Sequence, residues 1–439
     1  MRTIALISLG CAKNLVDSEV MLGYLAHQRY VFVHQPEEAE IIIVNTCGFI
    51  QPAKKEAEDS LGMAVKLKKK GQAEKIIAAG CYVERNKEQL SAHYPEIDAW
   101  VGVKDFDKIV SIVEGKPYDQ SKSTFLYSHR TPRLLTTPAG WAYIKISEGC
   151  SHLCSFCAIP SIKGAYQSRP ILSIVQEAKK LVSQGVKEIN LISQDSTHYG
   201  YDLGLKHGLV QLLEKLLDLK PSPWIRFLYG YPEEVSDNLL EIMEEEKICS
   251  YLDIPFQHSH PEIVRKMKRG MEGRRALKLV EKIRKILPDV AIRTSLIVGF
   301  PGEGDKEFKN LEYFVQEARF DHLGVFTYSL EENTGSYLLG DPVESRVKNQ
   351  RRDRLMAIQA EISLDIMGKY LCRSLDVLVE GHLEQDKTVL IGRGQFQAPE
   401  VDGVVFIDTE GKDEVRINSV QEVEITDRDI YDLYGVFKA

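Results

Sequence analysis

"EGCSHLCSFCAIP", residues 148–160, places Cys150, Cys154 and Cys157 at spacings of four and three. Three thiols on so tight a loop can converge on one centre, yet a closed structural metal site takes four ligands. Zinc is one candidate occupant, because C-x2-C pairs are common in zinc sites. A second such pair or a His pair would then follow, and none does. His152, inside the loop, reads as a solvent-facing spacer, with ligation as the alternative. A cubane iron–sulfur cluster is the other candidate, and three thiolates leave one of its irons open to an outside molecule.

The sequence around the loop decides what kind of fold carries it. Cys150 follows directly on "AYIKIS", the first of six strand-like runs, continued by "KEINLIS", "WIRFLY", "SYLDI", "AIRTSLIV" and "HLGVFTY". Helical segments such as "ILSIVQEAKKLVSQG", "LVQLLEKLLDL", "SDNLLEIMEEE" and "KEFKNLEYFVQEA" lie between them. Six consecutive βα units over residues 141–370 fall short of the eight of a full barrel and suit a partial (βα)6 barrel, with a doubly wound sheet as the alternative. The cysteine loop then sits at the carboxyl edge, where such barrels build their sites.

Residues 1–120 alternate in the same way. "TIALIS", "EIIIVN", "KIIAAG" and "IDAWVG" are separated by helical stretches, which predicts an α/β domain with a parallel sheet. The opening "MRTIALISLG" lacks a small-residue cleavage pattern and runs at once into an amphipathic helix, so it reads as a first strand rather than a leader. Cys11, Cys47 and Cys81 each stand just past a predicted strand, at the edge where open α/β sheets bind ligands. Three cysteines at equivalent strand ends point to a second shared cluster. The basic run "KLKKK" reads as the solvated end of a helix.

A polar stretch over 121–140 reads as a linker, and residues 372–439 form short alternating strands divided by Gly and Asp turns. These predict a small antiparallel β-barrel of the oligonucleotide-binding kind. That tail holds 7 Lys plus Arg against 15 Asp plus Glu and so carries the whole net charge of −8, leaving the rest of the chain neutral. Such a surface repels phosphate and attracts basic partners, which argues against nucleic acid. No run approaches the ~20 apolar residues of a membrane span. The expected location is the cytoplasm, where eight cysteines are not a disulfide framework. Cys249 and Cys372 read as buried packing residues.

C-x3-C-x2-C at the end of a first strand, followed by six βα units, resembles the signature of the radical S-adenosylmethionine (SAM) enzymes. With a second three-cysteine set ahead of it and a small β-domain behind, the whole chain is similar to the methylthiotransferases. "SLGCAKNLVDSE" and "YLDIPFQHSHPEIVRKMKR" resemble the branch that modifies an aspartate of small-subunit ribosomal protein twelve. The sister branch, which acts on an adenosine of transfer RNA, carries "PVQSGS" where this chain has "PFQHSH". The acidic tail suits the basic ribosomal protein better. A non-catalytic ribosome-assembly factor with structural zinc is the alternative from another class.

The resemblance implies two 4Fe–4S clusters and SAM as cofactors. Cys150, Cys154 and Cys157 hold the cluster that cleaves SAM, and Cys11, Cys47 and Cys81 the one that carries sulfur. It implies a TRAM domain at the end of the chain, two SAM per turnover, and a reductant such as flavodoxin or ferredoxin. Ribosomal protein twelve would be met free or in the ribosome. Phe156 matches the position beside the adenine, or only packs the loop. Gln194 and Asp195 fall where the family contacts the methionine amino group. Arg293 reaches the SAM carboxylate or ribose, or forms a buried salt bridge between strands. Gln257 and His258 face substrate or shape a turn, and His198, Tyr199 and Tyr201 form a possible substrate wall. The family's terminal domain usually shows "GRS" and an aromatic before "APEVDG", whereas this chain reads "GRGQFQAPEVDG".

Overall fold

Long β-branched runs give the first unit its centre. "IIIVNT", Ile41–Thr46, is buried along its whole length, as a strand covered on both faces must be. The computed structural model describes residues 1–119, 125–409 and 416–438. In it β1 (Thr3–Ser8), β2 (Val31–Phe32), β3 (Ile41–Thr46), β4 (Lys75–Gly80) and β5 (Ala99–Val101) form one sheet in the order β2-β1-β3-β4-β5. Every pair is parallel. Helices α1 (Ala12–Ala26), α2 (Gln51–Lys69) and α3 (Cys81–His93) follow β1, β3 and β4. The strand order reverses between β1 and β3, which opens a crevice at their carboxyl ends. The last turn of α2 carries Lys66, Lys68 and Lys69, as the basic run predicts.

Six strands of the central unit lie where the sequence puts them: β6 (Trp141–Lys145), β9 (Glu188–Ile192), β10 (Trp224–Phe227), β11 (Tyr251–Asp253), β12 (Ala291–Val298) and β13 (His322–Thr327). They form two parallel three-stranded arcs, β10-β9-β6 and β11-β12-β13. A single bridge, Ile225 to Ile248, joins the arcs, and the result is an open partial barrel. A two-stranded ribbon, β7 (Ser147–Glu148) with β8 (Gln167–Ser168), ties the two ends of the cysteine loop together. The 23-residue helix Ser345–Met367 covers the β13 edge with Leu355, Ile358, Ile362 and Ile366. Its dense charge hides that stripe in the sequence.

The tail closes as β14 (Ser374–His382), β15 (Val389–Arg393), β16 (Val405–Asp408), β18 (Leu433–Phe437) and β17 (Ser419–Arg428), in that spatial order. One pairing departs from the antiparallel expectation: β16 and β18 run parallel and complete the closure. The central core continues unbroken into Val377, Leu390, Ile407, Val423 and Leu433 of this barrel.

Two expectations change. Of the linker, residues 121–124 lie outside the described residues. The remainder is strapped down, because Arg133 joins Glu19 on α1 (2.6 Å) to Glu177 of the central unit (2.9 Å). Cys249 is buried as expected, but Cys372 is exposed. It occupies a left-handed turn (φ 60°) ahead of β14, where the side chain points off the barrel. The "GRGQFQAPEVDG" segment, where the chain departs from the family's usual wording, is an internal seam. Arg393 meets Glu188 (2.6 Å), Tyr143 donates to Glu400 (2.9 Å), and Asp402 accepts from Tyr251 (2.7 Å). Among the described residues no helix is long and apolar enough to cross a membrane.

Candidate active site

The first cysteine set is assembled by the sheet edge. Cys11 caps α1 in extended conformation, Cys47 follows β3, and Cys81 opens α3. Gly10 holds φ at +88°, and a Cβ there would lie 2.8 Å from the Cys47 sulfur. Only glycine lets the two loops come so close. Burial pushes the Cys81 thiol up to about 12, and the neighbouring Cys11 and Cys47 add to the rise. Cys47 is raised for the same first reason.

The second set lies on the loop between β7 and β8. Gly149, at φ +71°, turns the chain where a Cβ would sit 2.3 Å from the carbonyl oxygen of Ala165. The loop is pinned from below: the Ser155 amide donates to Met267 O (3.0 Å) and its hydroxyl to Lys266 O (2.7 Å). Burial pushes Cys150 up to about 11 and Cys157 to about 12, each also feeling the charge of its fellow thiols. Thiols in such surroundings stay protonated unless a multivalent cation holds them as thiolates. Two sets of three soft sulfur donors fit iron–sulfur clusters, and each set leaves a position for a further ligand.

Arg269 donates to the Cys154 sulfur at 3.7 Å and lies 3.9 Å over the ring of Tyr231. His152 is no solvent-facing spacer. Its ring stacks on Tyr231 at 3.9 Å, and Nε2 is 2.5 Å from Asp195. Phe156, half-buried, packs with Ile263, Met267, Phe300 and Tyr328.

Of the strand-end candidates, Asp195 is brought beside the cysteine loop. Besides His152 it accepts from Thr197 Oγ1 (2.6 Å). Gln194, its neighbour, is half-buried. His198 pairs with Glu234 (2.9 Å), and the ligand atoms of His152, Asp195, His198 and Glu234 all lie within 4.8 Å of one another. Tyr199 is buried and donates to Arg169 O, so it supports the loop, while Tyr201 is exposed next to His198. His258 is fully buried against Glu303 (3.1 Å), and Gln257 adopts φ 69°, so this pair shapes a turn. Arg293 pairs with Asp402 of the terminal barrel and sits near the amino end of β12, so its buried ion pair spans two units rather than two strands.

The first unit covers the carboxyl edge of the barrel. Lys54 and Arg85 both meet Glu331 at 2.6 Å, just past β13. Deeper, Asp17 of α1 accepts from Lys145 and Lys163, and Glu148 meets the same two lysines at 2.5 and 3.4 Å. Lys163 also acts on the Cys81 charge, and Tyr229 of the barrel feels that of Cys11. Both cysteine sets therefore border the face where the first unit meets the barrel, with Cys11 exposed at its edge. Lys13, Tyr229 and Arg269 belong to it as well. No motif in the sequence flags them.

Residues 3–102 match the family described as uncharacterized protein family UPF0004, residues 144–314 the radical SAM superfamily, and residues 372–437 the TRAM domain. The chain is 45% identical to the ribosomal protein uS12 methylthiotransferase RimO of Solibacter usitatus, over 99% of this chain and 95% of that one. It is 44% identical to the protein of that name from Aquifex aeolicus, over 98% and 96%. Among solved structures, the radical S-adenosylmethionine methyltransferase TsrM of Kitasatospora setae, with cobalamin and a [4Fe-4S] cluster bound, has a TM-score of 0.55. It is 13% identical and covers 76% of this chain and 77% of its own. That likeness concerns the fold alone.

Proposed function

As a member of the RimO family of ribosomal protein uS12 methylthiotransferases, this chain has, we propose, the activity of adding a methylthio group to the β-carbon of an aspartate of ribosomal protein uS12, with two SAM consumed per turnover. The observation that supports this reading is the docking of the first unit, which carries Cys11, Cys47 and Cys81, onto the barrel edge that carries the other three thiols, through Asp17, Lys145, Lys163 and Glu148. When bound, clusters on Cys150, Cys154 and Cys157 and on Cys11, Cys47 and Cys81 supply, respectively, the electron that cleaves SAM and the sulfur that is transferred.

The protein's own part is to hold, orient and enclose. Gly10 and Gly149 let the two cysteine-bearing loops bend tightly. Arg269 steadies the Cys154 sulfur through a charged N–H donor. His152 and Asp195 build a polar wall beside the loop, and we assign Gln194 and Asp195 as contacts for the methionine amino group of SAM. Lys54, Arg85 and Glu331 close the edge above and limit the entry of water. We assign residues 1–120 to the sulfur-carrying unit, 121–140 to the strap, 141–370 to SAM cleavage and 372–439 to partner contact. The acidic surface of the last unit suits a basic ribosomal protein, free or assembled. The reaction belongs in the cytoplasm, with flavodoxin or ferredoxin as reductant.

The test is anaerobic reconstitution followed by reaction with SAM, a strong reductant and purified uS12. About eight irons per chain, release of 5′-deoxyadenosine and a uS12 mass increased by one methylthio group in place of hydrogen are expected. Bound zinc without iron, or a modified transfer RNA with unmodified uS12, would overturn the assignment.

A further inference from the structure

Among the described residues five lysines are buried: Lys13, Lys54, Lys145, Lys163 and Lys348. Four are ion-paired, with Glu331, with Asp17 and Glu148, or with Asp341. Lys13 is the exception, since among the described residues no carboxylate lies within ion-pair distance of its Nζ. The ammonium group instead rests 3.4 Å from the centroid of the Tyr229 ring. A buried charge ordinarily has a partner of opposite sign, and a π-face replaces only part of that interaction.

The position of Lys13 is informative too. Lys13 stands two residues after Cys11, which is exposed at the same edge. Tyr229 follows β10 and adopts φ 64°, a left-handed conformation that a bulky residue seldom takes without cause. Its amide donates to Oδ2 of Asp253 at 3.1 Å, at the end of β11. The other carboxylate oxygen, Oδ1, is buried and has no hydrogen-bond partner. A cation with no carboxylate in ion-pair distance and an acceptor with no donor thus lie near one another where the first unit faces the barrel, and Asp253 and Cys11 both act on the Lys13 charge.

We propose that Lys13 binds the side-chain carboxylate of the residue to be modified and so selects aspartate as substrate; this rests on the function proposed above. An aspartyl residue brings both missing partners: a carboxylate for Lys13 and a backbone N–H for Asp253. A charge-assisted contact at the carboxylate fixes the β-carbon one bond away. A nucleobase offers no such anion, and the buried cation would then count against it.

The experiment uses the full chain, reconstituted with iron and sulfide, and two synthetic uS12-loop peptides that carry aspartate or asparagine at the target position. KM, kcat and iron content are measured for wild type, Lys13→Met and Lys13→Arg. For Lys13→Met, KM for the aspartate peptide should rise about 100-fold with a smaller change in kcat. Its preference for aspartate over asparagine should vanish while the iron content stays at the wild-type level. Lys13→Arg should restore most of the preference. If Lys13→Met keeps the preference and the KM, or if its defect tracks lost iron, the proposal falls while the family function stands. If wild type itself leaves both peptides unmodified, the underlying substrate assignment falls, and the proposal with it.

Discussion

Arg269 and Cys154 are joined by a 3.7 Å hydrogen bond from guanidinium to sulfur, made by a side chain already stacked on Tyr231. A donor on a ligating sulfur draws charge from it and raises the potential of a bound cluster. Arg269→Gln should lower the midpoint potential of the second site in an EPR-monitored titration. SAM cleavage should slow by about 10–100-fold, the usual effect of losing such a supporting contact.

The two thiol sets should fail differently. Cys154→Ala should lose about half the iron and all release of 5′-deoxyadenosine. Cys47→Ala should lose about the same amount of iron, still release 5′-deoxyadenosine and form no methylthiolated product. Iron assay and chromatography of the SAM products check both, and equal loss of deoxyadenosine in the two variants would contradict the division of labour.

Asp17 ties α1 to the barrel through Lys145 and Lys163, all three nearly devoid of solvent contact. Removing one member of such a buried group leaves charge uncompensated. Asp17→Ala should therefore cost about 3–5 kcal/mol in denaturant unfolding. A change below about 1 kcal/mol, the scale of a surface pair, would show that the cluster does not hold the units together.

Acid should loosen the terminal barrel. Burial alone would raise the pKa of Glu188, but Arg393 and Arg226 outweigh it and hold the carboxyl below its usual 4.5. Asp402 is likewise buried, and His322 and Arg293 hold it below 3.8. Both folded values lie under the unfolded ones, so their contribution is complete above pH 4.5 and is lost as pH falls through the lowered values. Limited proteolysis across that range should release the region from 372 onward first. Glu188→Gln, already weakened at neutral pH, should show a flatter response.

Much of this was legible in the chain. The cysteines declared themselves because strand periodicity fixes where a strand ends, and a ligand edge is always the carboxyl one. The same logic found all six barrel strands. What stayed hidden depended on contacts between distant segments. Nothing local distinguishes Lys13 from a surface lysine, or Arg269 from its basic neighbours. Arg293 carried the expected charge, but only the folded tail shows that Asp402 takes it up. Cys372 misled because apolar neighbours predict burial only inside an element, and it stands at a turn between two.

The seam formed by residues 392–403 gives the terminal barrel two unequal fates. Its inner rim, where Arg393, Glu400 and Asp402 hold the floor of the partial barrel, admits little change without unseating the centre of the molecule. Its outer strands carry no such obligation. Descendants of this chain are free to redraw the outward charge, and with it the company the enzyme keeps, while the chemistry inside stays undisturbed.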